Sequence, residues 1–162
     1  MDSIEISVTK DLAEKLGMNL AKSENAEPSL SHWYAKVLVF NRKRYVLAVN
    51  TVTRYALVFR LNKASFKDDF EKALKEQFSY DGLDYSKVLP ANIGFSLGNN
   101  RALTSQLNNC GQDLDYLFYY KDYKSYSGDY ADLYKDYNKS NLGKAGNSKD
   151  MVFALNEMKK YF

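Results

Sequence analysis

The sequence predicts an α+β fold, an antiparallel meander sheet of about four to five strands packed with helices. Three consecutive segments that alternate apolar and polar residues with very short links predict the sheet, and amphipathic segments before and after them predict the helices. A tyrosine-rich last third predicts a helical C-terminal extension. We therefore expect a single domain overall, with an α+β core over residues 1–115 and an extension over residues 116–162 packed on that core.

The first elements are a strand and a short helix. The segment "IEISVT" alternates apolar and polar side chains, which is typical of a half-buried strand. "TKDLAEKLG" then predicts a helix with Thr9 as its N-cap and Gly17 as its stop. Residues 18–31 are polar and predict a loop.

The central sheet is predicted from "WYAKVLVF", "RYVLAV" and "RYALVFRL". The links "NRK" and "NTVT" are short enough to require antiparallel neighbours. "SFKDDFEKALKEQF" follows as an amphipathic helix, in which Ser65 and Asp68 resemble a capping box. "IGFSLGN" predicts one further strand, and "NNRALTSQLNN" begins a helix with Asn100 as its cap.

The last third carries aromatic residues at alternating steps of three and four, a heptad-like pattern. Ser125, Ser127 and Gly128 interrupt it, so we expect two helices with a kink between them. "NKSNLGKAGNS" predicts a loop, and "KDMVFALNEMKKYF" predicts a final helix capped by Asn147 or Ser148. The residues of this heptad-like pattern are Tyr116, Tyr119, Tyr123, Tyr126, Tyr130, Leu133 and Tyr137.

The charge distribution is uneven, although the net charge is only +3. Residues 28–67 contain eight lysines and arginines and no acid. Side-chain alternation predicts a bulky core face with Tyr34, Leu47 and Leu57, and an opposite face of small residues fringed by arginines. Three interpretations of that second face stay open. It is covered by a helix whose acids pair with the arginines, it is a shallow groove for phosphate or carboxylate, or it is a protein interface. The arginines are Arg44, Arg54 and Arg60, and the candidate acids are Asp68, Asp69 and Glu71.

Several short motifs in this order resemble an uncharacterised bacterial family of unknown function. They are a Trp, a basic-Tyr-Val-Leu strand, an Asn-x-x-Thr-Arg turn and an Asn-Arg helix start that ends in Leu-Asn. The resemblance covers roughly residues 1–115 and implies no activity. The matching positions are Trp33, Arg44, Tyr45, Asn50, Thr53, Arg54, Asn100, Arg101, Leu107 and Asn108.

Two polar groups from these motifs form a candidate anion site. If the hairpin end with Asn50, Thr53 and Arg54 adjoins Asn100 and Arg101, their side chains converge beside a helix N-terminus, which favours an anion. Alternatively, the Asn and Thr side chains bond their own turns. The predicted set for binding an anion or a partner is Arg44, Asn50, Thr53, Arg54, Arg60, Asn100 and Arg101.

No motif predicts catalysis, a metal site or a cofactor. His32 is the only histidine, and we interpret it as structural. Cys110, the only cysteine, is expected to be a small buried hydrophobe, and a single cysteine is typical of a reducing cytosol. Neither zinc-ligand spacing nor a phosphate-binding glycine motif occurs.

We therefore expect a small non-enzymatic bacterial or phage protein, cytoplasmic and not membrane-bound, whose partner is another protein. An inhibitor or accessory of a defence or toxin system would fit its size. The alternative is a nucleic-acid, nucleotide or anion binder that uses Arg44, Arg54, Arg60 and Arg101 on the basic sheet. The expected protein interface comprises Trp33, Tyr119, Tyr123, Tyr126, Tyr130, Tyr134 and Tyr137.

Overall fold

A computed structural model describes residues 3–23, 27–88, 92–120, 126–144 and 149–162. The N-terminal elements are β1 (Ser3–Val8), α1 (Lys10–Leu16), β2 (His32–Phe40), β3 (Lys43–Asn50), β4 (Ala56–Arg60), α2 (Phe66–Asp81) and a 3-10 turn (Tyr85–Lys87). The C-terminal elements are β5 (Asn92–Leu97), α3 (Arg101–Tyr120), α4 (Tyr130–Leu133), α5 (Tyr137–Ser140), β6 (Leu142–Lys144), β7 (Met151–Phe153) and α6 (Ala154–Lys159). The predicted α+β class and the tyrosine-rich C-terminal helices are confirmed.

The main sheet is mixed, which corrects the predicted purely antiparallel arrangement. Its strand order is β4-β3-β2-β1-β5, and β2, β3 and β4 form the predicted antiparallel meander. In contrast, β1 runs parallel to both β2 and β5. Parallel neighbours need a long connection, and the segment that contains α1 provides one between β1 and β2.

Helices cover both faces of this sheet. One face packs against α1, α2 and α6 through a core that includes Trp33, Ala48 and Phe70. The other face packs against α3, α4 and α5 through a core that includes Phe40 and Leu107. The small-residue face is therefore a second core, because α2 lies on it and supplies large aromatic side chains.

The side-chain division of β4 differs from the prediction. Leu57 lies opposite Ala48, so Leu57 belongs to the small-residue face and Ala56 to the bulky one. The prediction placed Leu57 with Leu47 because it continued one alternation through the turn. The turn between β3 and β4 instead shifts the alternation by one residue, and this places Arg44 and Arg60 on opposite faces of the sheet.

The ends of α1 follow the sequence signals. The Thr9 hydroxyl accepts a hydrogen bond from Leu12 N–H at 3.3 Å, and Gly17 ends the helix at φ 66°. At the start of α2 the predicted capping box does not form. The Ser65 hydroxyl donates to the Asp69 carboxylate at 2.7 Å instead of capping a backbone N–H.

The C-terminal region contains a small second sheet that the sequence did not predict. β6 and β7 pair antiparallel, so "LGK" is a strand in place of the predicted loop. The final helix begins at Ala154, after β7, and is shorter than predicted. Its predicted caps, Asn147 and Ser148, lie outside the described residues.

A side chain from α5 occupies the outer edge of β4. Asn138 accepts a hydrogen bond from Ala56 N–H at 2.7 Å and donates to the Ala56 carbonyl at 2.9 Å. This amide therefore fills the position that an additional strand would take. Beyond it, a groove of about 320 Å³ runs along β4 between α2 and residues 129–135.

Within the described ranges, no helix is both long enough and apolar enough to cross a bilayer.

Candidate functional site

The turn between β3 and β4 is held by its own side chains. Asn50 Oδ1 accepts hydrogen bonds from Val52 N–H and Thr53 N–H, both at 3.1 Å, and from the Thr53 hydroxyl at 3.3 Å. Asn50 Nδ2 donates to the Leu30 carbonyl at 2.9 Å, and Thr53 Oγ1 accepts from Tyr55 N–H. Asn50 and Thr53 therefore stabilise the turn, which was one of the two roles considered for them.

This turn directs Arg54 into the interior. Arg54 adopts a left-handed backbone at φ 63° and is only 5% exposed. Its Nη2 donates to Asn141 Oδ1 at 3.2 Å and lies 3.8 Å from Cys110 Sγ. Asn141 Nδ2 in turn donates to the Arg54 carbonyl at 2.8 Å, so one residue fixes both ends of Arg54.

Gly143 covers the Arg54 guanidinium from the other side. A Cβ added at Gly143 would overlap the Arg54 Cζ and both Nε and Nη1. β6 can lie directly on the guanidinium only because this residue has no side chain.

The charge of Arg54 has no direct counter-ion among the described residues. No carboxylate lies within 4.0 Å of the guanidinium, and Nε is buried without a hydrogen bond. Burial raises the pKa of the neighbouring Cys110 thiol, so this thiol is neutral at pH 7. Buried charges are ordinarily paired, whereas the only hydrogen bond from this guanidinium to an oxygen among the described residues goes to the neutral Asn141 amide.

Arg54 lies at the wall of a cavity of about 560 Å³ between α3 and β6. The charged lining residues are Arg54, Lys144 and Asp113, two cations and one carboxylate. One Asp113 oxygen accepts a hydrogen bond from the Tyr137 hydroxyl at 2.7 Å. The remaining lining is the polar set Ser105, Gln106 and Asn109 and the small or apolar set Ala102, Leu142, Gly143 and Met151.

The other predicted arginines lie elsewhere. Arg44 and Arg60 are exposed on opposite sides of the sheet, and Arg60 Cζ lies 5.7 Å from the centre of the Tyr45 ring. Arg101 is exposed at the start of α3, where Asn100 Oδ1 accepts from Leu103 N–H. Asn100 and Arg101 line a different cavity, of about 480 Å³, from the one that Arg54 lines.

The predicted pairing of these arginines with acids of α2 does not form among the described residues. The Asp69 carboxylate accepts a hydrogen bond from Ser65, and Glu71 accepts one from the Tyr85 hydroxyl. α2 covers the small-residue face through its aromatic stripe and not through ion pairs.

The predicted interface tyrosines divide into buried and exposed groups. Tyr130, Tyr134 and Tyr137 are buried in the core beneath α3, and Trp33 is buried in the other core. Tyr119 and Tyr126 are exposed. Tyr123 lies outside the described residues.

A buried polar network around His32 was not predicted from the sequence. His32 Nε2 lies 2.7 Å from the Ser7 hydroxyl, which lies 2.9 Å from the Ser96 hydroxyl. Ser96 donates to Glu5 at 2.7 Å. Burial lowers the pKa of His32, so the imidazole is neutral at pH 7. This hydrogen-bonded network joins β1, β2 and β5. The only sequence feature that could have indicated it is the pair Glu5 and Ser7 among the polar positions of "IEISVT".

Within the described ranges, no three acids, histidines or cysteines are grouped as a metal site would require.

Comparison with known proteins assigns the chain to a family without assigning an activity. Neither the curated proteins nor the solved structures include a significant match to it. A family model, described as a domain of unknown function (DUF6933), matches residues 5–157. The match extends beyond residue 115 and includes the tyrosine-rich segment. The chain therefore belongs to the DUF6933 family, a domain family of unknown function.

Proposed function

We propose that this protein acts without catalysis, by binding another protein through exposed tyrosines in the last turns of α3 and after it. We call Tyr116, Tyr119, Tyr120 and Tyr126 the tyrosine surface. Tyr116, Tyr119 and Tyr120 are 63%, 64% and 73% exposed, and this exposure of large aromatic side chains is the observation that carries the proposal. Tyrosine is enriched among the residues that dominate binding energy at protein interfaces.

The tyrosine surface is supported from below by buried aromatic rings. The Tyr119 ring meets the buried Phe118 ring edge-on at 5.4 Å, and Tyr126 lies 6.1 Å from the buried Tyr130. Tyr116 and Tyr120 stack on each other at 5.3 Å. Side chains that are held before binding lose less conformational entropy when a partner docks, which favours affinity.

The proposal includes a cytoplasmic location and a role as an inhibitor or accessory of a bacterial or phage defence or toxin system. The buried, reduced Cys110 supports a reducing compartment.

Point variants test this proposal better than truncation. Removing the chain after Tyr116 would also remove Tyr130, Tyr134 and Tyr137, which belong to the core, and would unfold the protein. The test variant is Tyr116→Ser with Tyr119→Ser and Tyr120→Ser. The control is Tyr161→Ser, because Tyr161 is exposed just after α6, which packs on the opposite face of the sheet from α3.

The experiment is affinity capture from the native cells, followed by titration of the purified partner. We expect a partner that binds the wild type and the Tyr161→Ser control equally, and that loses at least about tenfold in affinity with the triple variant. Equal affinity for the triple variant and the control would contradict the proposal.

Nucleic-acid binding on the basic sheet has weaker support. A track for phosphates needs several cations on one surface, whereas Arg44 and Arg60 lie on opposite faces and Arg54 is buried. Filter binding at low and moderate salt tests this alternative, since phosphate contacts give a steep salt dependence.

A further inference from the structure

The cavity beside Arg54 has the features of a small-anion site that is separate from the tyrosine surface. Its central feature is a cation that is 95% removed from solvent, and this value follows directly from its 5% exposure. A guanidinium cannot lose its proton at physiological pH, so its burial must be compensated by an anion or by polar groups.

The polar groups that contact the guanidinium compensate it only in part. Nη2 bonds the neutral amide oxygen of Asn141 and contacts the Cys110 sulfur. Nη1 makes no hydrogen bond to any described residue, and Nε is enclosed without one. The hydrogen-bonding capacity of Nη1 is therefore not used by any described residue.

The charge of the lining sets the charge of the ligand. Arg54 and Lys144 contribute two positive charges and Asp113 one negative charge, which leaves one positive charge in excess. A singly charged anion matches this excess, whereas a doubly charged phosphate would also face the Asp113 carboxylate.

The apolar part of the lining sets the rest of the ligand. Leu142 and Met151 line the cavity from the small second sheet, whereas Ser105, Gln106 and Asn109 line it from α3. They can contact a short hydrocarbon chain, while Ser105 and Asn109 offer hydrogen bonds near its charged end.

We propose that this cavity binds a small monocarboxylate, with the carboxylate on Arg54 Nη1 and a short apolar group against Leu142 and Met151. The guanidinium is held ready by Asn141 and Gly143, so the ligand completes a pairing that the folded chain leaves open.

Direct removal of the Arg54 side chain is a poor test, because it would also remove the hydrogen bond from Nη2 to Asn141, the residue that directly precedes β6. Ser105→Glu places a competing carboxylate in the lining and leaves Arg54 intact. Ser105 is exposed on α3 and makes no hydrogen bond to the described residues, so the variant is expected to fold. Gln112→Glu is the matched control, because it makes the same charge change on an exposed α3 residue that does not line this cavity.

The assay is a titration of the full chain with sodium butyrate and, separately, sodium phosphate at constant ionic strength, followed by amide and Arg54 Nε–H resonances in NMR spectra. We expect saturable shifts at Arg54, Gly143 and Lys144 with butyrate, with a Kd of about 1 mM or below. Ser105→Glu should weaken this binding at least about tenfold, and Gln112→Glu should leave it unchanged.

Three results would overturn the proposal. They are linear, unsaturated shifts with butyrate, saturable binding of phosphate that equals or exceeds that of butyrate, and equal binding by Ser105→Glu and Gln112→Glu. None of them bears on the tyrosine surface, so this site and the proposed protein-binding function fail or succeed independently.

Discussion

Replacing Asn138 by Ala should destabilise the protein more than a typical surface change. The variant removes the 2.7 Å bond from Ala56 N–H and the 2.9 Å bond to the Ala56 carbonyl, and Asn138 and Ala56 are both buried. A buried donor or acceptor left without a partner costs about 1–3 kcal/mol. Two such groups are left without a partner, and water that enters from the adjoining groove offsets part of their cost. We therefore expect a loss of about 2–4 kcal/mol in the free energy of unfolding.

The assay is urea unfolding followed by circular dichroism. With a slope of about 2 kcal/mol per molar urea, the expected loss lowers the midpoint by about 1–2 M without changing the slope. Asn109→Ala is the control, because Asn109 is exposed on α3, and it should change stability by less than about 0.5 kcal/mol. If the two variants unfold at the same urea concentration, the account of Asn138 as a substitute strand is refuted.

Three further predictions concern Gly143, Tyr85 and Cys110. Gly143→Ala should lower Tm by at least about 3 °C, because the added methyl group overlaps the Arg54 guanidinium. Gly94→Ala is the control, because the space around its Cβ is open, and it should not lower Tm in this way. Equal Tm values for the two variants would contradict this prediction. Burial raises the pKa of Tyr85 from 10.0 to about 12, so its contribution to stability is complete below pH 10 and is lost as the pH rises to about 12. Tyr85→Phe should remove that part of the pH dependence in unfolding measurements, and an unchanged profile would refute the assignment. The Cys110 thiol is buried and its pKa is raised by burial, so a thiol reagent should modify it only after urea unfolds the chain; prompt modification of the native protein would show that this part of α3 opens.

The sequence predicted features that depend on nearby residues. The cap at Thr9 and the stop at Gly17 are interactions within a few residues, and both were predicted correctly. The apolar stripe of α2 was also correct, since Phe66, Phe70 and Phe78 are buried. The antiparallel meander followed from links too short to permit another arrangement.

Features that depend on distant partners were not predicted. The alternation of "IEISVT" indicates a strand but not its neighbours, so the parallel pairing of β1 with β2 and β5 could not be derived. β6 and β7 contain three residues each, which is too short for a recognisable period. The heptad-like spacing of the tyrosines predicted two helices with a kink between them. In the structure, Tyr130 and Tyr137 instead belong to the short helices α4 and α5 and pack beneath α3.

The candidate site was predicted in part, for the same reason. Arg54 was identified from its charge and its turn, but its burial depends on Asn141 and Gly143, almost ninety residues further along the chain. Nothing near Arg54 in the sequence indicates that a glycine will lie on its guanidinium. The charge count of the cavity likewise depends on Asp113 and Lys144, which come from separate elements.

Asn138 also has a consequence for how copies of this chain meet one another at high concentration. The unpaired N–H and C=O groups of an exposed edge strand can pair with a strand of another molecule, and repeated addition produces fibres. Here the Asn138 amide already bonds the Ala56 N–H and carbonyl. On either side of the groove, α2 and residues 129–135 restrict access to the remaining residues of β4. The opposite edge of the main sheet, at β5, is partly covered as well, because Lys22 forms an isolated β-bridge with Leu97. The native fold thus carries its own protection against polymerisation, and the same residue that stabilises the sheet also terminates it.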